Sequence, residues 1–143
     1  MNPRQLEELL RQVAVGRLDV PAALAQLRNF PSEDLGDAVL DHHRALRCGH
    51  AEVVLAQGKT PAQVLRIAKG ILAAGSNLLI TRVEDALGKS LKRAHRAGQW
   101  HPQGRLFCLQ QHAPEPGLGT VLVISAGTSD QSVAEEADRK SVV

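Results

Sequence analysis

The sequence predicts an α/β protein in two pieces: an N-terminal helical hairpin plus small α/β domain, followed by the first strand, loop and helix of a parallel-sheet domain. Three observations carry this. Stretches with a helical apolar period, residues 61–75 and 84–98, alternate with strand-like runs at Asn77–Val83 and Arg105–Leu109, the order of elements that covers a sheet with helices. Two short amphipathic stretches precede them. Finally, Val121-Leu122-Val123-Ile124 is an unbroken apolar run rich in β-branched residues, and such a run reads as a strand buried on both faces of a parallel sheet.

At 143 residues the chain suits one ordinary domain, or one small domain and part of another. A 43% hydrophobic share supports a core, and two Phe, one Trp and no Tyr mean that Leu, Val, Ile and Ala build it. The 17 Lys and Arg against 15 Asp and Glu give no global argument for nucleic acid or membrane. Cys48 and Cys108 stand apart without a C-x-x-C spacing, which argues against a zinc ribbon or disulfide framework and fits a reducing cytoplasm. The charged N-terminus and the absence of an apolar run near the ~20 residues of a spanning helix predict neither a targeting nor a membrane segment.

In chain order, Asn2 and Pro3 open a helix with Leu6, Leu9, Leu10 and Val13 on one face, ended by Gly16. Asp19 and Pro21 open a second, with Leu24 and Leu27 inward and Phe30-Pro31 as its stop. Extended segments are predicted at Ala38–Leu40 and Glu52–Ala56. Between them, His42 and His43 would point to opposite faces if they lay in a strand. No second ligand pair has metal spacing, so no metal site is expected. Gly58-Lys59-Thr60 is not a P-loop, because Val53 stands where the motif needs its first glycine. Thr60 instead reads as an N-cap and Pro61 as the first residue of a helix running through Val64, Leu65, Ile67, Ala68, Ile71 and Leu72 to Gly75. The helix from Glu84-Asp85 to Gly98 carries Lys89, Lys92, Arg93 and Arg96 on one side and Leu87, Leu91 and Ala94 opposite. That is an amphipathic helix with a solvated basic face, and the face is the sole argument for nucleic acid. Gln111 to Leu118, with two Pro and a Gly, reads as a linker. The division predicted is residues 1–112 as the N-terminal domain, 113–118 as linker, 119–137 as the start of the second domain, and 138–143 as an out-of-pattern tail.

The candidate site follows the apolar run. Gly127, with Ala126, allows close backbone approach, while Thr128, Ser129 and Asp130 supply hydroxyls, a carboxylate and an N-cap for the next helix. Unpaired N–H groups and the positive end of a helix dipole make such a turn an anion site. On this signal alone, the stretch reads as a capped turn that binds nothing. Arg44 and Arg47 are candidates for a phosphate or carboxylate, since a guanidinium donates bidentate hydrogen bonds, with a solvated arginine pair as the alternative. Lys59, at the mouth of a helix, and Arg82, at the end of a strand, join them as lower-grade anion contacts.

The run Ser125-Ala126-Gly127-Thr128-Ser129-Asp130 resembles the phosphate and ribose loop of PurE-type aminoimidazole ribonucleotide (AIR) carboxylases, Gly-Ser-x-Ser-Asp. Ser129 and Asp130 match; Ala126 and Gly127 replace the family's Gly and Ser. Asp41-His42-His43-Arg44-Ala45-Leu46-Arg47, Glu52-Val53-Val54, Gly58-Lys59-Thr60-Pro61, Leu79-Ile80-Thr81-Arg82 and Ser125 to Asp130 occur in the same order in the LarB family of nickel pincer cofactor biosynthesis proteins, so the resemblance spans the chain from the first helix to Ala137. It implies a small N-terminal α/β domain joined to a truncated PurE-like, flavodoxin-like domain. It also implies a cytoplasmic carboxylase that carboxylates the pyridine ring of nicotinic acid adenine dinucleotide with CO2 or bicarbonate. The same enzyme hydrolyses the phosphoanhydride, releasing AMP and pyridinium-3,5-biscarboxylic acid mononucleotide. No cofactor is expected to be tightly bound, Mg2+ is left open, and the full-length family implies a homo-oligomer, an octamer, with no membrane or nucleic-acid partner.

The family's chains are longer, and its covalent cysteine matches neither Cys48 nor Cys108, so no nucleophile is assigned. One strand with one helix cannot be covered on both faces. Val121 to Ile124 is therefore expected to be exposed, the chain to be inactive alone, and Asp138 to Val143 to break the helical pattern as a junction. Two alternatives stand beside this: an AIR carboxylase of purine biosynthesis, whose members lack the N-terminal segment, and a non-catalytic nucleotide or nucleic-acid module using the Lys89 to Arg96 face.

Overall fold

A computed structural model describes residues 3–27, 32–36, 38–44, 48, 52–113 and 119–140. The mixed α/β class is as predicted, with helices around a two-stranded and a four-stranded sheet. Helices α1 (Pro3–Ala14) and α2 (Val20–Gln26) form the N-terminal hairpin. Gly16, at φ 71°, makes the left-handed turn that closes α1, and the Asp19 carboxylate caps α2 by accepting the Ala22 N–H at 2.7 Å. The inward faces are narrower than predicted. Leu9 and Ala23 are buried, whereas Leu10 and Leu24 are 57% and 63% exposed; the seven residues of α2 offer little more than one inward position per turn.

Strand β1 (Ser32–Asp34) pairs antiparallel with β2 (Val39–Asp41). Polar Ser-Glu-Asp gives β1 no strand signature of its own, and its partner supplies the pairing. His42 and His43 lie in the turn after β2 and not in a strand. His42 is buried, its Nε2 3.0 Å from Glu33 Oε2 on β1.

The larger sheet has the order β3-β4-β6-β5. Strand β3 (Val53–Leu55) runs parallel to β4 (Leu78–Thr81) through the crossover helix α3 (Pro61–Ala73), a βαβ unit. Thr60 and Gln63 form a reciprocal capping box at the start of α3. Helix α4 (Asp85–Ala94) leads to the antiparallel hairpin of β5 (Gln99–His101) and β6 (Leu106–Leu109), and β6 also pairs antiparallel with β4. All four β4 residues are buried, as befits a strand with neighbours on both sides. Val64, Ile67, Ala68 and Ile71 of α3 and Leu87 and Leu91 of α4 meet Val54, Leu78, Ile80 and Phe107 in one core on one face of this sheet. Helix α4 sits so close that a methyl group at Gly88 would come 2.4 Å from the Trp100 ring, so Trp100 fills the space a side chain there would take. Ala94, predicted inward, is exposed, and Lys92 of the basic face donates its Nζ to the Arg96 and Gly98 carbonyls at 2.8 and 2.7 Å, closing the helix end.

Gln111 and His112, expected to begin the linker, are fixed instead. The Asn77 side-chain oxygen accepts both of their backbone N–H groups, at 2.8 and 3.0 Å. Farther along the chain, Val121 to Ile124 forms no strand, and Val121, Leu122 and Ile124 are 69%, 77% and 81% exposed. The strand read from the run's composition does not form, and the exposure expected for a run without strands to cover it is what the structure shows. Helix α5 (Gln131–Lys140) runs on through Asp138, Arg139 and Lys140, which were expected to break it. An i,i+4 pair, Arg139 Nε to Glu135 Oε1 at 3.0 Å, supports its last turns.

Candidate functional site

Residues 127–130 form a turn into α5. Asp130 N–H donates to the Gly127 carbonyl at 3.2 Å, and the Asp130 carbonyl accepts the Ala134 N–H at 2.9 Å, which places Asp130 just before the first helical residue. The Ser129 hydroxyl donates to Asp130 Oδ1 at 3.3 Å. Gly127, Thr128, Ser129 and Asp130 are all exposed, so two hydroxyls and a carboxylate share one solvent-facing turn. The carboxylate suits the hydroxyls of a ribose as an acceptor, and the serine hydroxyl suits a phosphate oxygen as a donor.

Of the lower-grade contacts, Arg82 is the one tied to α5. It follows β4 with a left-handed backbone, φ 56°, and its Nε lies 3.1 Å from Glu136 Oε2, a side chain only 8% exposed. Arg105 is also left-handed, at φ 51°; it pairs with Glu84, and its carbonyl accepts the Val83 N–H at 2.8 Å. Such non-glycine positions cost about 1–3 kcal/mol each, and here they bring two guanidinium groups to one end of the sheet. Gly104, next to Arg105, approaches α5 so closely that a methyl group on it would sit 3.0 Å from Glu135 Cγ. Lys59 donates its Nζ to the Leu55 carbonyl at 3.0 Å, at the start of α3. Arg44 lies beyond β2, its Nε buried with no hydrogen-bond partner among the described residues. Arg47 lies outside the described residues. The sequence candidates therefore occupy three separate places: the 127–130 turn with Arg82 near α5, Lys59 at α3, and Arg44 after β2.

A second site was not foreseen. On the sheet face opposite the core, Leu79 and Leu106 form the floor of a cavity of about 220 Å³ walled by Gln99, His101, Cys108 and Gln110, with Arg139 contributed by α5. Cys108 Sγ lies 3.7 Å from His101 Nε2. Burial pushes the Cys108 thiol above its ordinary pKa, and the Arg139 guanidinium and a backbone hydrogen bond at Gln99 only partly oppose this. The group is therefore a protonated thiol at neutral pH, the less nucleophilic form. The missing signal was strand β5. Once Trp100 is paired with Phe107, alternation puts those rings on the core side and Gln99, His101, Leu106 and Cys108 together on the other. Three residues ending at Pro102 were too short a run to show it.

Among the described residues no group of three or more His, Cys, Asp and Glu is placed to hold a metal ion, and no helix is long and apolar enough to cross a membrane. A two-stranded ribbon beside a mixed sheet with one parallel crossover, a polar turn leading into α5 beyond it, defines a mixed α/β domain. The chain belongs to the LarB family: the family model for the LarB/PurE-like N-terminal domain matches residues 32–111, which is the span from β1 to just past β6. This is a carboxylase-related family. A comparison with curated proteins finds no match.

Proposed function

We propose that the chain serves nickel pincer cofactor biosynthesis as part of a carboxylase that acts on nicotinic acid adenine dinucleotide. The enzyme adds a carboxyl group to the pyridine ring from CO2 or bicarbonate and hydrolyses the phosphoanhydride, releasing AMP. The observation that carries this is the match of residues 32–111 to the LarB/PurE-like N-terminal domain, a segment that a purine-pathway AIR carboxylase is expected to lack. Residues 127–130 are its nucleotide contact. Ser129 and Thr128 donate to phosphate, Asp130 accepts from ribose, and Gly127 admits the backbone. Arg44, Arg47, Lys59 and Arg82 are the further anion contacts. Arg44 is the best supported of these, since a bound anion would satisfy a buried N–H that has no partner among the described residues. Arg82 would have to share its charge with Glu136. No cofactor is held tightly, and the working enzyme is a homo-oligomer.

This chain by itself is expected to bind the dinucleotide without turning it over. The Cys108 thiol is held protonated by burial, and Val121 to Ile124 belongs to no sheet among the described residues. Calorimetric titration of nicotinic acid adenine dinucleotide into the purified chain tests this, with AMP followed by chromatography in the presence of bicarbonate. Saturable binding is expected, weakened about tenfold, or 1.4 kcal/mol, in a double variant carrying Ser129→Ala and Asp130→Asn. Absence of binding, or equal binding by the double variant, defeats the assignment of the turn, and AMP release defeats the expected inactivity.

A further inference from the structure

The cavity on the second face of the sheet has no role in the function proposed above, yet its chemistry is one-sided. None of the residues described around it carries a carboxylate, while Arg139, His101 and the Gln99 amide are hydrogen-bond donors or can become so. Glu135 meets the Arg139 guanidinium from the flank, through Nε. The Cys108 thiol, protonated because burial prevails, supplies no counter-charge. Glu135 already balances the Arg139 charge, so what α5 brings to the space is the guanidinium's remaining N–H donors, above an apolar floor of Leu79 and Leu106 that the sheet provides.

Size narrows the ligand. About 220 Å³ is room for about seven waters at ~30 Å³ each, and it falls below the ~300–1,000 Å³ typical of pockets for larger ligands. A nucleotide does not fit; a molecule of a few carbon atoms does. A guanidinium paired to Glu135 through Nε can still share its other N–H groups, and their planar fork prefers the two oxygens of a carboxylate. The apolar floor favours a short hydrocarbon part over a fully hydrated ion such as chloride.

We propose that this cavity is a binding site for a small monocarboxylate, its carboxylate on Arg139 with help from Gln99 or His101 and its alkyl part on Leu79 and Leu106. The site joins α5 to the β5–β6 hairpin and is separate from the 127–130 turn.

The test uses the full chain with Cys48→Ser, which leaves Cys108 as the sole thiol. Sodium propionate is titrated against sodium chloride at equal ionic strength, with two readouts: amide NMR shifts, and the rate of Cys108 alkylation by uncharged iodoacetamide. The expected result is saturable shifts centred on Gln99 and Cys108, slower alkylation as the site fills, and affinity reduced about tenfold, or 1.4 kcal/mol, by Arg139→Gln. Arg139→Lys is measured beside it; it keeps the charge without the fork and is expected to fall between the two while the α5 signals stay in place. Shifts that never saturate, equal protection by chloride, or equal affinity in all three proteins would overturn the proposal. None of these outcomes depends on nicotinic acid adenine dinucleotide, so this site and the nucleotide turn stand or fall separately.

Discussion

Cys108 shows how a single residue links placement to behaviour. Alternation along β6 sends Phe107 into the core and Cys108 to the other face, where burial raises the thiol pKa above its ordinary value. A raised pKa means that above the unfolded thiol's pKa the native state holds a proton that the unfolded chain has lost. Stability is then lost as pH climbs from the unfolded value through the folded one. Below the ordinary thiol range the contribution is complete. Urea midpoints at pH 8 and pH 10 are expected to differ less for Cys108→Ala than for the parent chain. An equal alkaline loss in both would show that the thiol plays no part. Arg82 and Arg105 make a related point, since nothing in their sequence signals a left-handed backbone. Both conformations arise where the chain turns beside β4 and β6, with the Val83 N–H donating to the Arg105 carbonyl.

At the level of elements, readable and hidden features divide by how local their causes are. Helix α3 was fully visible in the sequence, because its capping residue, its proline start and its apolar period are all written within it. Strand β4 was visible for a similar reason: a run of apolar residues suits a strand with two neighbours. Strands β1 and β5 were not, because Ser32–Asp34 and Gln99–His101 exist through their partners. The candidate turn at 127–130 was read as a loop before a helix, and it is one, but the His101 and Cys108 cavity required knowing a pairing first. Helix α5 is held by side chains remote in sequence, chiefly Glu136 to Arg82. Replacing Glu136 with Gln is expected to loosen this attachment and leave the sheet intact. In hydrogen exchange, the α5 amides should then lose protection relative to the parent while those of β4 and β6 keep theirs. A uniform loss across the molecule would mean that the pair supports the fold as a whole.

For the whole molecule, the strand order β3-β4-β6-β5 gives a compact unit in which one sheet face is filled by α3 and α4 and the other is partly occupied by α5. The family match covers β1 through β6, the part whose core is complete, whereas the residues proposed to hold the nucleotide lie beyond it. The class of fold was predictable from periodicity alone. The fate of Val121 to Ile124 was not a property of that segment, since the same residues are a buried strand or an exposed one according to whether other strands stand beside them.

That exposed segment governs how the isolated protein behaves in a tube. An exposed apolar segment that belongs to no sheet among the described residues is a template on which further molecules can associate, so sedimentation is expected to reveal concentration-dependent clustering that Leu122→Lys with Ile124→Lys suppresses. If both proteins remain monodisperse at the same loading, the segment is harmless. Otherwise any assay of this chain has to be run dilute, or its ligand affinities will be read through a mixture of aggregates.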